Sequence, residues 1–376
     1  MENSEENKNE FEEKKSSSDN TKSDTNPEIK SMEDKVNSIG ENNVLNEANN
    51  LADGITDEYN EDVLKLAEAV DKIRKETAKV IIGQDDVMTY LLIGLFTGGN
   101  VLLEGVPGVA KTLFARMLAK SIATDFTRIQ FTPDLMPSDI IGTMIFNVKN
   151  SEFEFKSGPI FSNIILIDEI NRAPAKTQAA LMEVMEEKQI TVEGKKHKMG
   201  FPFFVIATQN PVEQEGTYKL PEAQMDRFLF KIKVDYPELE DERKILMRFK
   251  SDFKGKVQDS VNAVLNVKEL QKCQEIIENI YIKDELINYI AEIVVSTRKN
   301  ADLYLGASPR ASLAILKASK AFAMMNGRTF VTPDDIKFVS PAVLNHRIIL
   351  SHEREMEGQE AEDVIKELIE EITVPR

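Results

Sequence analysis

Short apolar runs punctuate the chain up to about Pro237, and helical spacing takes over after it. Asn100–Glu104 reads as a buried strand and Phe126–Phe131 as a second. Asn163–Ile167 and Phe203–Thr208 are nearly all apolar, as strands buried on both faces should be. Phe228–Val234 is the last such run. Alternation on either side of Lys149-Asn150-Ser151 predicts a hairpin from Thr143–Val148 and Glu152–Lys156. A second hairpin is expected across Gln189–Met199, turning at Glu193-Gly194. Ahead of the first strand, Val63, Leu66, Ala67, Val70 and Ile73 share one helical face. Further helices are expected over Asp86–Thr97, from Leu113 onward and over Ala175–Glu187, while Asp134–Gly142 reads as a Pro- and Ser-containing connection. Beyond Pro237 the pattern predicts helices over Glu240–Phe249, Val267–Ile277, Asp284–Thr297, Pro309–Met325 and Pro333–Leu344, and a charge-rich final one over Gly358–Ile372. No internal repeat of fixed period is visible.

Composition changes this picture at one end. Residues 1–60 hold 16 Asp and Glu against 6 Lys and no Arg, a net charge of −10 out of −17 for the chain. Such a segment cannot bury enough apolar surface to offset its ordering entropy. It is expected to be a disordered acidic tail, with a helix entering near Asp57. An α/β domain over 61–237 and a smaller helical domain over 238–376 follow. The acidic balance disfavours broad binding to nucleic acid or anionic lipid. One Cys and three His exclude a disulfide framework and argue against a Cys/His zinc site. Cys273 reads as small packing on a helical face, and His197 as a solvated turn residue. No apolar run reaches the length of a membrane span, and no secretory leader is apparent, so a cytoplasmic protein without direct membrane insertion is expected.

The candidate chemistry begins at Gly105-Val106-Pro107-Gly108-Val109-Ala110-Lys111-Thr112, between a strand and a run of helix formers. Backbone N–H groups of such a loop and of the helix it opens face an anion. Lys111 would reach the β- and γ-phosphates, and the Thr112 hydroxyl would hold Mg²⁺. The general pattern has Gly where Ala110 stands; Ala is compatible there if the residue is already helical. A glycine turn joining strand to helix is the plain alternative. Asp168 and Glu169 close a strand that belongs in the same parallel sheet, at the end where ligands bind. Asp168 would hold Mg²⁺, and Glu169 can act as general base toward an attacking water. Solvated acids at a strand end are the alternative. Asn210, at the end of the next apolar strand, can orient water or contact the γ-phosphate, or simply precede a turn. Arg227 can reach a neighbouring subunit's γ-phosphate, or pair locally with Glu222 or Asp226. Arg310 can span a domain cleft to the phosphates, or sit as a surface residue near a helix N-terminus.

Taken together, the loop, Ile167-Asp168-Glu169-Ile170-Asn171-Arg172-Ala173-Pro174, Ala207-Thr208-Gln209-Asn210-Pro211, Leu220–Phe228 and Gly306-Ala307-Ser308-Pro309-Arg310 resemble a MoxR-type AAA+ ATPase of the helix-2-insert clade. Thr332-Pro333-Asp334-Asp335 fits as well, and Ala110 is the ordinary residue of that family. The resemblance spans roughly residues 62–350. It implies an AAA+ phosphate-loop core with a parallel five-stranded sheet, a smaller all-α lid, and a homo-oligomeric ring, typically a hexamer. It implies ATP and Mg²⁺ as cofactors. By resemblance Asn210 is the first sensor, Arg227 the arginine finger and Arg310 the second sensor, while Gly83 and Gln84 lie near the adenine. The first hairpin looks like the insert in the second helix, and the second like the hairpin before the first sensor. Family members mature or activate protein complexes, sometimes by inserting a metal cofactor, and often work with von Willebrand factor A domain proteins. The competing expectation is a nucleic-acid motor or loader; a nucleotide-gated scaffold without turnover is disfavoured by Glu169.

Overall fold

The computed structural model describes residues 56–375, apart from 212–216 and 251–255. The expected disordered tail lies outside the described residues up to residue 55. The helix expected to enter near Asp57 begins at Thr56 and runs to Thr77.

Five parallel strands form the central sheet: β1 Val101–Glu104, β2 Phe126–Gln130, β5 Ile164–Asp168, β8 Phe204–Gln209 and β9 Phe230–Lys233, in the order β2-β5-β8-β1-β9. Successive side chains of a strand point to opposite faces, and the burial divides accordingly. Val101, Leu103, Ile164 and Leu166 join one core; Leu102, Ile165 and Ile167 join another. The second core is closed by Leu181, Met182 and Met185 of the helix Ala175–Glu187. The first is closed by the helices Asp85–Thr97 and Lys111–Ser121 and continues unbroken into Ile290, Ile315 and Val339 of the C-terminal helices. Tyr90 stands at this junction. It meets Phe230 of the sheet edge-on at 5.1 Å, stacks on Phe338 at 5.0 Å, and donates its hydroxyl to the Phe338 carbonyl at 2.9 Å.

Both expected hairpins are present: β3 Gly142–Asn147 with β4 Glu152–Ser157, and β6 Gln189–Val192 with β7 Lys195–Lys198. They touch through Phe155 and His197, whose rings lie 4.4 Å apart, so His197 is packed rather than a loose turn residue. The connection over Asp134–Gly142 contains a five-residue helix, Pro137–Ile141, with proline in its first turn.

The C-terminal region is helical as expected, through Leu239–Phe249, Val267–Asn279, Asp284–Thr297, Pro309–Met325, Pro333–Leu344, His352–Met356 and Ala361–Glu371. One antiparallel pair is added to it, β10 Leu303–Leu305 with β11 Ile349–Leu350. Strands of three and two residues are too short to show a period in the sequence. Cys273 is buried, and burial pushes its thiol up to about 12, as befits packing rather than nucleophilic chemistry. Among the described residues no helix is long and apolar enough to cross a membrane.

Candidate active site

The loop after β1 lies between two strand ends. The Gly105 N–H donates to the Gln209 carbonyl at 3.2 Å, tying the loop to the end of β8. A Cβ on Gly105 would meet the Val234 carbonyl oxygen at 2.4 Å, so only glycine permits this approach. Gly108 has a different reason: there is open space around it, but its φ of 92° favours glycine. Val106 packs partly against the first core, and Val109 is buried beneath the loop.

Ala110 corrects an expectation. It is not already helical; it is the residue before the helix Lys111–Ser121, with φ 61° and ψ 18°, in the left-handed region. A side chain there costs about 1–2 kcal/mol, which explains why glycine is the general choice. The helix begins at Lys111, and the N–H groups of Leu113 and Phe114 are already bonded back to the Ala110 carbonyl.

A cleft of about 470 Å³ opens at this helix start, and it gathers most of the expected residues. Pro107, Gly108, Ala110, Lys111 and Thr112 come from the loop side; Asp168, Glu169 and Asn210 come from the ends of β5 and β8. The Lys111 ammonium donates to the carbonyls of Gly105 and, at 3.4 Å, Gln209. Asn210 is only 5% exposed, so its side chain is fixed at the cleft wall.

Parallel pairing of β2 with β5 sets Gln130 beside Asp168. Arg128 and Gln130 point to the same face of β2, and both reach across to the acidic pair. Arg128 donates to Asp168 Oδ2 at 2.9 Å through Nε and at 2.6 Å through Nη2. Gln130 donates to Glu169 Oε2 at 2.7 Å, and Arg172 pairs with the same oxygen at 3.1 Å. The Thr208 hydroxyl donates to Asp168 Oδ1 at 2.7 Å and accepts from the Glu169 N–H at 2.9 Å. Glu169 itself is left-handed, with φ 58°. Strain of this kind persists where the surroundings over-determine it, and here the side chains of Gln130, Arg172 and Thr208 do so. Arg128, Gln130, Arg172 and Thr208 escaped the sequence reading. The available signal was two long polar side chains, at alternate positions, near the end of an otherwise mixed strand.

The donor set fits magnesium. Among the described residues no group of three His, Cys, Asp or Glu side chains is placed to hold a metal ion by itself. Mg²⁺ does not need such a cage, because it keeps several waters and takes one or two protein oxygens beside substrate phosphates. Asp168 and the Thr112 hydroxyl, which line one cleft, would be those oxygens. The Lys111, Arg116 and Arg128 cations in the same cleft bias it toward a polyphosphate.

Gly83 and Gln84 stand elsewhere. They line a second cleft with Lys233, Asp235 and Tyr236, and Gln84 donates to the Asp235 carbonyl at 3.0 Å. A third cleft, containing Gly105 and Val106, shares those same three residues. The loop therefore has the phosphate-type cleft at one end and, at the other, the third cleft, which adjoins the Gly83–Gln84 cleft through those shared residues.

Arg227 and Arg310 do not enter the loop cleft. They meet each other at Glu186, in the last turn of the helix Ala175–Glu187. Arg227 pairs with Glu186 Oε2, and Arg310 Nη2 donates to Oε1 at 2.7 Å. The local partners expected for Arg227 are not used: Asp226 is taken by Arg347 at 2.7 Å and by the Ser308 hydroxyl at 3.0 Å.

Comparison with known proteins follows the same division. Residues 100–230 match the model of the ATPase family associated with various cellular activities (AAA), and residues 295–368 match an AAA lid domain. The chain is 45% identical to Bacillus subtilis YeaC over 318 residues, which is 84% of this chain and 97% of that one. It is 44% identical to Chaperone MoxR1 of Mycobacterium tuberculosis over 310 residues, 80% of this chain and 81% of that one. A crystal structure of a Cytophaga hutchinsonii protein superposes with a TM-score of 0.78 at 44% identity, covering 84% of this chain and 98% of that one.

Proposed function

The chain belongs to the MoxR-type AAA ATPases, and on that premise we propose that it hydrolyses ATP with Mg²⁺ to remodel, mature or activate a client protein complex. The observation that carries this reading is the convergence of Lys111, Thr112, Asp168, Glu169 and Asn210 on one cleft. Lys111 and the loop N–H groups hold the phosphates, with the base toward Gly83 and Gln84. Thr112 and Asp168 would hold Mg²⁺, which would offset phosphate charge when bound. Glu169 accepts the proton of the attacking water, kept in orientation by Gln130 and Arg172. Asn210 orients that water or the γ-phosphate.

The rest of the assignment concerns assembly. Arg227 and Arg310 sit together, away from their own chain's loop cleft. This supports action on ATP held by a neighbouring subunit in a homo-oligomeric ring, a hexamer. Residues 61–237 serve as the nucleotide-binding domain and 238–376 as the lid. The client role is favoured by similarity to a protein named a chaperone. We assign a von Willebrand factor A domain protein as partner, metal cofactor insertion as one form the maturation takes, and the cytoplasm as the place.

The direct test is ATP consumption by the purified full chain, with and without Mg²⁺, beside nucleotide affinity of Lys111→Ala. Turnover that needs Mg²⁺, with affinity lost in Lys111→Ala and an unchanged far-UV spectrum, is expected. Undiminished affinity in the variant removes the loop from its assigned role.

A further inference from the structure

Three consecutive residues of the C-terminal region, Asn345-His346-Arg347, reach back onto the segment that carries Arg227. Arg347, with its side chain 3% exposed, donates Nε to Asp226 Oδ1 at 2.7 Å. Its Nη2 donates to the Phe228 carbonyl at 2.5 Å and the Asp226 carbonyl at 3.2 Å, and its Nη1 to the Leu229 carbonyl at 3.1 Å and to Val343. The His346 ring meets the Phe228 carbonyl at 3.1 Å, and Asn345 donates to the Lys231 carbonyl at 3.0 Å. These side chains occupy carbonyls from Asp226 to Lys231, on both sides of Arg227. The other oxygen of Asp226 accepts from Ser308, the residue that precedes the helix Pro309–Met325 with Arg310 in its first turn. One carboxylate thus ties Arg347, the residue next to Arg227, and the start of the helix bearing Arg310. The planar fork of Arg347 is matched to several acceptors at once, which a lysine cannot reproduce.

We propose that Arg347 is a positioning residue for the reaction: through Asp226 it fixes Arg227, and through Ser308 it fixes Arg310 relative to Arg227, so that the pair is presented as one rigid unit to the ATP of the neighbouring subunit. This rests on the reading that Arg227 acts on a neighbour. Arg347 touches neither substrate nor the loop cleft. Its effect is on where the two cations stand, and a misplacement of about 1 Å can cost on the order of 10²-fold in rate.

The experiment separates positioning from plain support of the fold. Arg347→Lys keeps the charge and loses the fork. It is expected to assemble and bind ATP like the wild type and to turn over about 10²-fold more slowly. Mixed with Glu169→Gln, it should recover part of the activity. An Arg347→Lys subunit retains its own Glu169 and can take correctly placed arginines from an adjacent Glu169→Gln subunit. Normal turnover in Arg347→Lys overturns the proposal. So does slow turnover that mixing fails to restore, with subunit exchange confirmed, since that puts the defect in the variant's own cleft. If Arg347→Lys does not fold, Asp226→Asn, of equal size, decides by the same two readouts. Arg227→Ala, run in parallel, reports on the parent reading. If it turns over normally, that reading falls and the proposal with it; if it is inactive and recovers on mixing while the Arg347 and Asp226 variants do not, the proposal alone falls.

Discussion

The two polar centres of the molecule handle charge in opposite ways. In the loop cleft, three cations and the acidic pair line an open space at the ends of adjacent parallel strands. At the second centre, Arg227 and Arg310 share a single carboxylate, Glu186, and the carboxylate next to Arg227 is held by a buried arginine. The first is built from consecutive residues and strand ends, and its groups face a volume large enough for a ligand. The second is built from side chains far apart in the chain, and its cations are paired within the protein. In the proposed ring, a phosphate held by another copy would carry more charge than Glu186 and would compete with it for the two arginines. On the proposed function, the difference is a division of labour between receiving a nucleotide and acting on a neighbour's.

The largest expected effect tests that division. Arg227→Ala should keep MgATP affinity and lose about 10³–10⁵ in turnover, the range for arginine fingers in other nucleotide hydrolases. Mixing with Glu169→Gln should return some activity. A near-normal rate would erase the distinction between the two centres. Next, Glu169→Gln alone should bind MgATP and turn over about 10²–10⁴-fold more slowly, the usual worth of a general base. A loss of only a few-fold would move the base out of the loop cleft.

A smaller effect probes how dry the second centre is. Burial first, then Arg347 and Lys231, hold the His346 imidazole well below its ordinary 6.5. The folded protein therefore keeps His346 neutral where the unfolded chain takes up a proton. That contribution is intact above about pH 6.5 and is lost as pH falls below it, by up to about 1.4 kcal/mol per pH unit. Denaturant midpoints between pH 7 and 5.5 should drop less in His346→Gln than in the wild type; equal drops would mean that water reaches the ring. The smallest effect belongs to the loop. Ala110→Gly relieves the left-handed side chain but adds backbone freedom to the unfolded chain, so a gain of roughly 1 kcal/mol or less is expected. Thermal unfolding would show it, and a lower midpoint would mean that the Ala110 methyl group packs usefully.

Legibility in the sequence followed the same contrast. Strands β1, β5 and β8 announced themselves because burial on both faces demands unbroken apolar runs. The helices Ala175–Glu187, Asp284–Thr297, Pro309–Met325 and Pro333–Leu344 have the bounds their periodicity predicts. Lys111, Thr112, Asp168, Glu169 and Asn210 were legible because a strand end or a glycine loop precedes each, and the sheet gathers such ends. Arg128 and Gln130 were not, because their partners are set by the register of β2 on β5, which apolar pattern alone does not fix. Ala110 was misread because apolar pattern does not show that the residue before the helix turns left-handed instead of joining the first turn. The partner of Arg227 was sought among neighbours in sequence, Glu222 and Asp226. The structure supplies Glu186 instead, and commits Asp226 to Arg347, 121 residues away. Close packing of distant elements decides such pairs.

The helix Ala175–Glu187 joins the two centres. It starts shortly after Glu169 and carries Glu186 in its last turn. Thirteen helical residues extend about 20 Å, and no glycine or proline interrupts them. Mechanically it is a strut. A tilt of the end near Glu169 would be transmitted to the arginine end with little slack, and the direction of the tilt would fix the direction of the displacement. In the proposed ring each strut would couple one subunit's cleft to the next, so a change at one station alters the spacing available to its neighbour. Timing between subunits would then be a property of geometry, set by the length of one uninterrupted helix.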